Sequence, residues 1–290
     1  MKFTPSSIRQ VLDDLIHEMA DYAWLFARNP KTDFSRKSKL GFEKTISILL
    51  SLGGKSIANE LLDFFHCDGN GPSPSAFVQS RDKLLPEALE FLFHEFIRTC
   101  TPEKNYHGYR LLAVDGSEVQ IPTNPNHADF FFPGRNDQKP YNLLLLTAMY
   151  DLMNHTYLDA VVEGARAGSE QRDLTTMVDR SHIESAILVA DRGFESYNCL
   201  AHLQEKGWKF LFRVKNSYGG IAHGLDLPDT DEFNLWFDMH LTRKQTNEMK
   251  NLFPLSLTIF HFGSSASNLP TIPMKPSSQT LMLTSFPLLS

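Results

Sequence analysis

The stretch that most restricts the fold is AILVADRGF, in which five apolar residues, Ala186 to Ala190, run into Asp191, Arg192 and Gly193. A strand without a polar position has no face to give to water, so it belongs to a sheet buried on both sides, as in α/β architecture. Helical patterns flank it: QRDLTTMVDRSHIE before, and SYNCLAHLQEKG after, ending at Gly207. WKFLFRVKN then reads as a further strand. Upstream, YRLLAVDGSEVQIP reads as a strand with a turn at Asp115-Gly116. NLLLLTAMYDLMNHTYLDAVVE reads as two strands joined in a hairpin at Asn154-His155. Strands, helix, strand, helix and strand in that order define an α/β domain with a mixed sheet.

Everything before Cys100 has helical texture. Residues 6–27 carry Ile8, Leu12, Leu15, Ile16 and Met19 on one stripe. Two helical patterns, FEKTISILLSLGG and SIANELLDFF, break at Gly53-Gly54. Ser75 is the expected cap of AFVQSRDKLL, and Pro86 opens EALEFLFHEFIRTC. Between the first helix and the second lies a basic connector, residues 28–39, with Arg28, Lys31, Arg36, Lys37 and Lys39 against Asp33. The LGGKS at Leu52 to Ser56 is not a phosphate-binding loop. Leu49 stands where that loop needs its first glycine, and the segment joins two helices instead of following a strand.

Net charge is -6, so no global basic field marks a nucleic-acid coat, although a local basic groove is compatible with it. Cys67, Cys100 and Cys199 are far apart and form no metal-binding or disulfide framework, which fits a reducing, cytoplasmic compartment. The N-terminus carries acids inside its apolar pattern and reads as an amphipathic helix, not a secretion signal. No run of apolar residues is long enough for a membrane helix.

The chemistry concentrates in two aspartates. Asp115 and Asp191 each follow a run of apolar strand residues and each precede a glycine within two positions. Carboxylates on adjacent strand ends can share hard cations, and Mg²⁺ is typically held by one or two of them together with substrate phosphate oxygens. The competing reading for each is a turn residue or helix cap. Lys139, Arg192, Arg213 and Lys215 are the basic residues nearest these strands. Arg213 and Lys215 alternate along one strand and so share a face. Phosphate contact and an ordinary solvated charge are the two readings for each of the four.

Taken in order, FEKTISILLSLGGKSIANELLDFF, SPSAFVQSRDKLLPEAL, LLAVDGSEVQIP, ILVADRGFESYN and FLFRVKN resemble the IS-four-type DDE transposases of bacterial insertion sequences, collinearly over roughly residues 40–216. The resemblance implies a ribonuclease-H-like mixed sheet core with an all-helical N-terminal domain and a β-rich insertion. It implies a helical DNA-binding and dimerisation region over residues 1–105 and a catalytic domain over 106–290, with the insertion at 217–265. Asp115 and Asp191 match the family's first two acids, which with a Glu bind two Mg²⁺ or Mn²⁺ ions. Double-stranded DNA is the implied partner, as terminal inverted repeats and as target, with self-association as a homodimer. The connector 28–39, Arg81 and Lys83 are the expected backbone contacts of the helical region.

The family's Glu helix has no match here. Glu195 and Glu205 read as part of the helix after Asp191, while Glu232 and Glu248 fall in the insertion. From Phe253 onward Lys275 is the single charged residue. PMKPSSQTLMLTSFP can be written in another reading frame as the strand and turn that precede the family's Glu, so the sequence is expected to be that of a transposase cut short. The functional expectation is metal-dependent DNA cleavage and strand transfer at insertion-sequence ends. One alternative is a truncated, catalytically inactive DNA-binding regulator. Another is a ribonuclease-H-like nuclease or resolvase, which needs further acids beside the two aspartates.

Overall fold

The computed structural model describes residues 4–67, 71–134, 138–215 and 220–223, with the backbone of three strands at 234–240, 259–265 and 281–284. The chain divides into two compact units, Met1–Pro102 and Glu103–Ser290.

The first unit is built from α1 (Pro5–Asp21), α2 (Phe42–Ser51), α3 (Ile57–Phe64), α4 (Pro74–Arg81) and α5 (Glu87–Cys100). A reciprocal cap opens α1: the Ser7 N–H donates to the Thr4 hydroxyl, and the Thr4 N–H donates to the Ser7 hydroxyl. The stripe read from the sequence packs as expected. Ile16 and Met19 meet Phe42, Ile46, Leu84, Ala88 and Leu92. A second cluster joins Leu40, Ile48, Leu61 and Phe77. The helix ends earlier than its apolar pattern, and Ala23–Phe26 form a separate 3₁₀ turn. Ser73, not Ser75, caps α4: its hydroxyl accepts the Ala76 N–H, and Pro74 takes the first helical position, where no N–H is needed. At the break after α2, the Glu60 carboxylate accepts the N–H groups of Gly53 and Lys55 at 2.8 and 2.7 Å. Those donors are therefore engaged within the turn.

The second unit holds β1 (Arg110–Ile121), β2 (Phe131–Phe132), β3 (Tyr141–Asp151), β4 (Thr156–Gly164), α6 (Glu170–Arg180), β5 (Ala186–Ala190), α7 (Tyr197–Glu205), β6 (Lys209–Val214), β7 (Asn234–His240), β8 (Ile259–Ser265) and β9 (Leu281–Thr284). The sheet runs β2-β3-β1-β5-β6-β9-β8-β7, with β4 paired to β3. β1 is antiparallel to β3 and parallel to β5, and β5 is parallel to β6. The all-apolar β5 therefore lies mid-sheet. Leu188 on it, Leu112 on β1 and Phe212 on β6 are fully buried in one core with Leu174 and Met177 of α6 and Leu200 and Leu203 of α7.

The hairpin between β3 and β4 is closed by Asp151, whose Oδ1 accepts the N–H groups of Met153 and Asn154, both at 2.9 Å. The same buried carboxylate pairs with Arg110 at 2.6 Å. Arg180 of α6 pairs with Asp159 of β4 at 2.5 Å.

In this unit three readings change. The chain does not turn at Asp115-Gly116: β1 continues through both residues, because β3 offers it a full antiparallel partner as far as Ile121. Glu195 is not part of the helix after Asp191 but lies in the connector before α7. Lys215 lies just past the end of β6. β7 and β8 pair antiparallel within residues 217–265. Glu232, Glu248 and the 253–290 tail, apart from its strand backbone at 259–265 and 281–284, lie outside the described residues.

Candidate active site

The site forms where two neighbouring strands differ in length. β1 and β5 pair in parallel from Arg110↔Ala186 to Val114↔Ala190. β5 then ends, while β1 runs on against β3, with Asp115 opposite Ala148. Asp115 and Asp191 are thus the next residues on adjacent strands, at the carboxyl edge of the parallel pair, where ligands of open α/β sheets gather. Both are exposed.

Asp191 occupies the cap position of the 3₁₀ turn Arg192–Phe194, yet its side chain makes no capping hydrogen bond. Asp115 sits inside a strand, where among the described residues its Oδ1 accepts only the adjacent Gly116 N–H at 2.9 Å. The backbone around Asp191 is anchored: Phe194 is buried, and Gln171 of α6 donates to the Gly193 carbonyl at 3.0 Å. Rigid strand ends and a pinned turn suit carboxylates that must hold an ion in fixed geometry.

Around the pair, Arg213 of β6 approaches Asp191 at 3.9 Å, and Arg192 is the next residue along the chain. Lys215 is exposed, and its N–H donates to Glu195 Oε2 at 2.8 Å. The same Glu195 carboxylate also accepts from the Ile221 N–H. Glu195 therefore accepts the backbone N–H groups of two residues that follow β6. Lys139 is not brought to this place. It precedes β3 near the far end of β1, where Ile121 pairs with Asn142, about 20 Å along the strand from Asp115.

Sequence reasoning missed Glu170. This residue opens α6 with Ser169 as its cap, and its carboxylate reaches the glycines that follow the two aspartates. Burial raises its pKa, and the charges of Asp115, Glu118 and Asp191 raise it further. A helix-opening glutamate is ordinary, so its sequence position alone gave no signal. Among the described residues, no three His, Cys, Asp or Glu side chains cluster tightly enough to cage a metal by themselves. The donor chemistry still fits a hard divalent ion, since oxygen ligands from one or two carboxylates, with water filling the remaining positions, suffice for Mg²⁺.

In the helical unit, a cavity of about 600 Å³ is lined by Lys31, Arg36, Lys37 and Lys83, with Phe34 and Leu40 among its apolar walls. Lys83 stands over the Phe34 ring at 5.9 Å. Arg81, exposed at the end of α4, pairs with Asp82 at 3.3 Å.

Comparison with known proteins matches this arrangement to one class. The model of the Transposase DDE domain family matches residues 106–253, just over half of the chain. The chain belongs to that family, and its β4-β3-β1-β5-β6 order is the ribonuclease-H-like sheet of DDE enzymes. Among curated proteins it is 27% identical over 143 residues to "Putative transposase InsZ" of Escherichia coli (strain K12), covering 46% of each chain. It is 26% identical over 140 residues to "Transposase InsG for insertion sequence element IS4" of the same organism, covering 46% of this chain and 31% of that one. The match thus spans less than half the length of either relative. A piggyBac transposase, solved by cryo-EM as a synaptic complex with hairpin DNA, aligns with a TM-score of 0.43 at 12% identity, over 95% of this chain and 58% of that one. The family works with divalent metal ions. No helix among the described residues is long and apolar enough to cross a membrane.

Proposed function

We propose that this chain carries the catalytic centre of a transposase of the insertion-sequence type, cutting and rejoining DNA at the element's ends by phosphoryl transfer. The observation that carries the reading is that Asp115 and Asp191 each follow the Val114↔Ala190 pair on neighbouring parallel strands, in a chain of the DDE family. Mg²⁺, or Mn²⁺, bound there in two positions would activate the attacking water or 3′-hydroxyl and offset charge on the leaving oxygen.

The protein's own groups do the rest. Asp115 and Asp191 hold the cations on rigid backbone. Arg213, 3.9 Å from Asp191, lies where it can contact a DNA phosphate bound at the pair. Arg192 and Lys215 are exposed beside it and suit the same backbone contact. In the helical unit, the cavity lined by Lys31, Arg36, Lys37 and Lys83 suits phosphates of the terminal repeat. Its concave basic wall favours it over Arg81, whose charge is balanced by Asp82.

The test is strand cleavage of a DNA fragment bearing one end of the element. With Mg²⁺ the protein should nick the fragment and leave a 3′-hydroxyl, and EDTA should stop the reaction. Cleavage that persists in EDTA, or products ending in a 3′-phosphate, would overturn the proposal.

A further inference from the structure

The two glycines beside the aspartates have no backbone reason to be glycine: neither Gly116 nor Gly193 is among the positive-φ residues. What they provide is room. A Cβ on Gly116 would overlap Glu170 Oε1, and one on Gly193 would stand 3.3 Å from Glu170 Oε2. One carboxylate therefore fits into the gap between the residue after Asp115 and the residue two beyond Asp191. Among the described residues it accepts no hydrogen bond and takes no ion-pair partner. The side chain bypasses the N–H groups of its own helix, one of which is already taken by Ser169.

We propose that Glu170 is a third carboxylate of the cation site, holding one of the metal's water ligands between Asp115 and Asp191. This rests on the reading that the two aspartates bind divalent ions. The three acids do not close into a cage by themselves, which is why Glu170 is assigned to a bound water and not to the metal directly. Outer-shell carboxylates of this kind orient the inner ligands and tune the ion's affinity. The acid comes from the helix before Asp191, so it differs in chain position from any acid downstream of that residue. It also supplies a further acid beside the two aspartates, at a place the sequence did not reveal.

The experiment is a Mn²⁺ titration of the full chain followed by electron paramagnetic resonance, on the wild type, Asp191→Asn, Glu170→Gln and Gly116→Ala, each checked for native circular dichroism. The expected result is that Asp191→Asn removes Mn²⁺ binding and Glu170→Gln weakens it about ten-fold or more. Gly116→Ala keeps every charge but displaces the Glu170 carboxylate, so it should weaken binding to a similar degree. It also serves if Glu170→Gln does not fold. If Asp191→Asn abolishes binding while Glu170→Gln and Gly116→Ala bind within two-fold of wild type, the role of Glu170 is overturned and the aspartate pair stands. If Asp191→Asn binds as wild type does, or the wild type binds no Mn²⁺, the reading of the pair falls and the Glu170 proposal falls with it.

Discussion

Asp115 and Asp191 share one register step: Val114 and Ala190 are partners in a parallel ladder, and each strand puts its aspartate next. Two exposed carboxylates at adjacent positions gain from a cation that only the folded chain brings them together to bind. At ten times its dissociation constant, Mg²⁺ should therefore stabilise the protein by about 1.4 kcal/mol, as an upward shift of the melting temperature. Asp115→Asn and Asp191→Asn should each remove the shift. An undiminished Mg²⁺ effect in both variants would place the ion elsewhere.

Glu170 gives a pH signature in metal-free protein. Its carboxyl group binds a proton more tightly when folded, because burial and then Asp115, Glu118 and Asp191 disfavour its charge. Between the ordinary glutamate value of 4.5 and the raised folded value, the folded state holds more protons than the unfolded one, so this group's contribution to stability falls as pH rises. Glu170→Gln should then melt higher than wild type at pH 7, with the difference shrinking towards zero as pH drops below 4.5. A variant that melts lower at pH 7 would contradict the sign.

Arg110 and Asp151 form a buried pair that also anchors the β3–β4 hairpin. Arg110→Met would leave the Asp151 carboxylate buried without its cation. Removing one partner of such a pair costs about 3–5 kcal/mol, to be read from urea unfolding. A loss below about 1 kcal/mol would mean that the hairpin N–H groups alone satisfy the carboxylate.

The basic cavity makes its own prediction. If Lys31, Arg36, Lys37 and Lys83 meet DNA phosphates, alanine at each should weaken binding to any sequence. It should also reduce the slope of log affinity against log salt by about 0.9 for each phosphate no longer neutralised. Weaker binding with an unchanged slope would assign these residues to the unit's stability instead.

Much of this molecule was legible in the sequence where one physical signal acts locally. The all-apolar run Ala186–Ala190 could only be a central strand, and it lies between β1 and β6. The Asn154-His155 hairpin and the stripe of Ile16 and Met19 followed from alternation and helical period in the same way. The errors came where tertiary pairing outweighed local chemistry. Asp115-Gly116 has the composition of a turn, but ten successive pairs with β3 keep β1 extended through it. Glu170 was invisible for a related reason. Nothing near it in the chain marks it, and only the strand order brings the start of α6 to the glycines after Asp115 and Asp191. Lys139, close to Asp115 in chain order, is separated from it by the length of β1.

The most direct test of the central claim compares Mg²⁺-dependent cleavage of element-end DNA by the wild type with that by Asp115→Asn and Asp191→Asn, alongside DNA binding by each. Each substitution keeps shape and removes one negative charge from the cation site. The account predicts that each variant loses metal-dependent cleavage while binding the same DNA as tightly as wild type. Cleavage at the wild-type rate in either variant would remove that aspartate from the site and contradict the account.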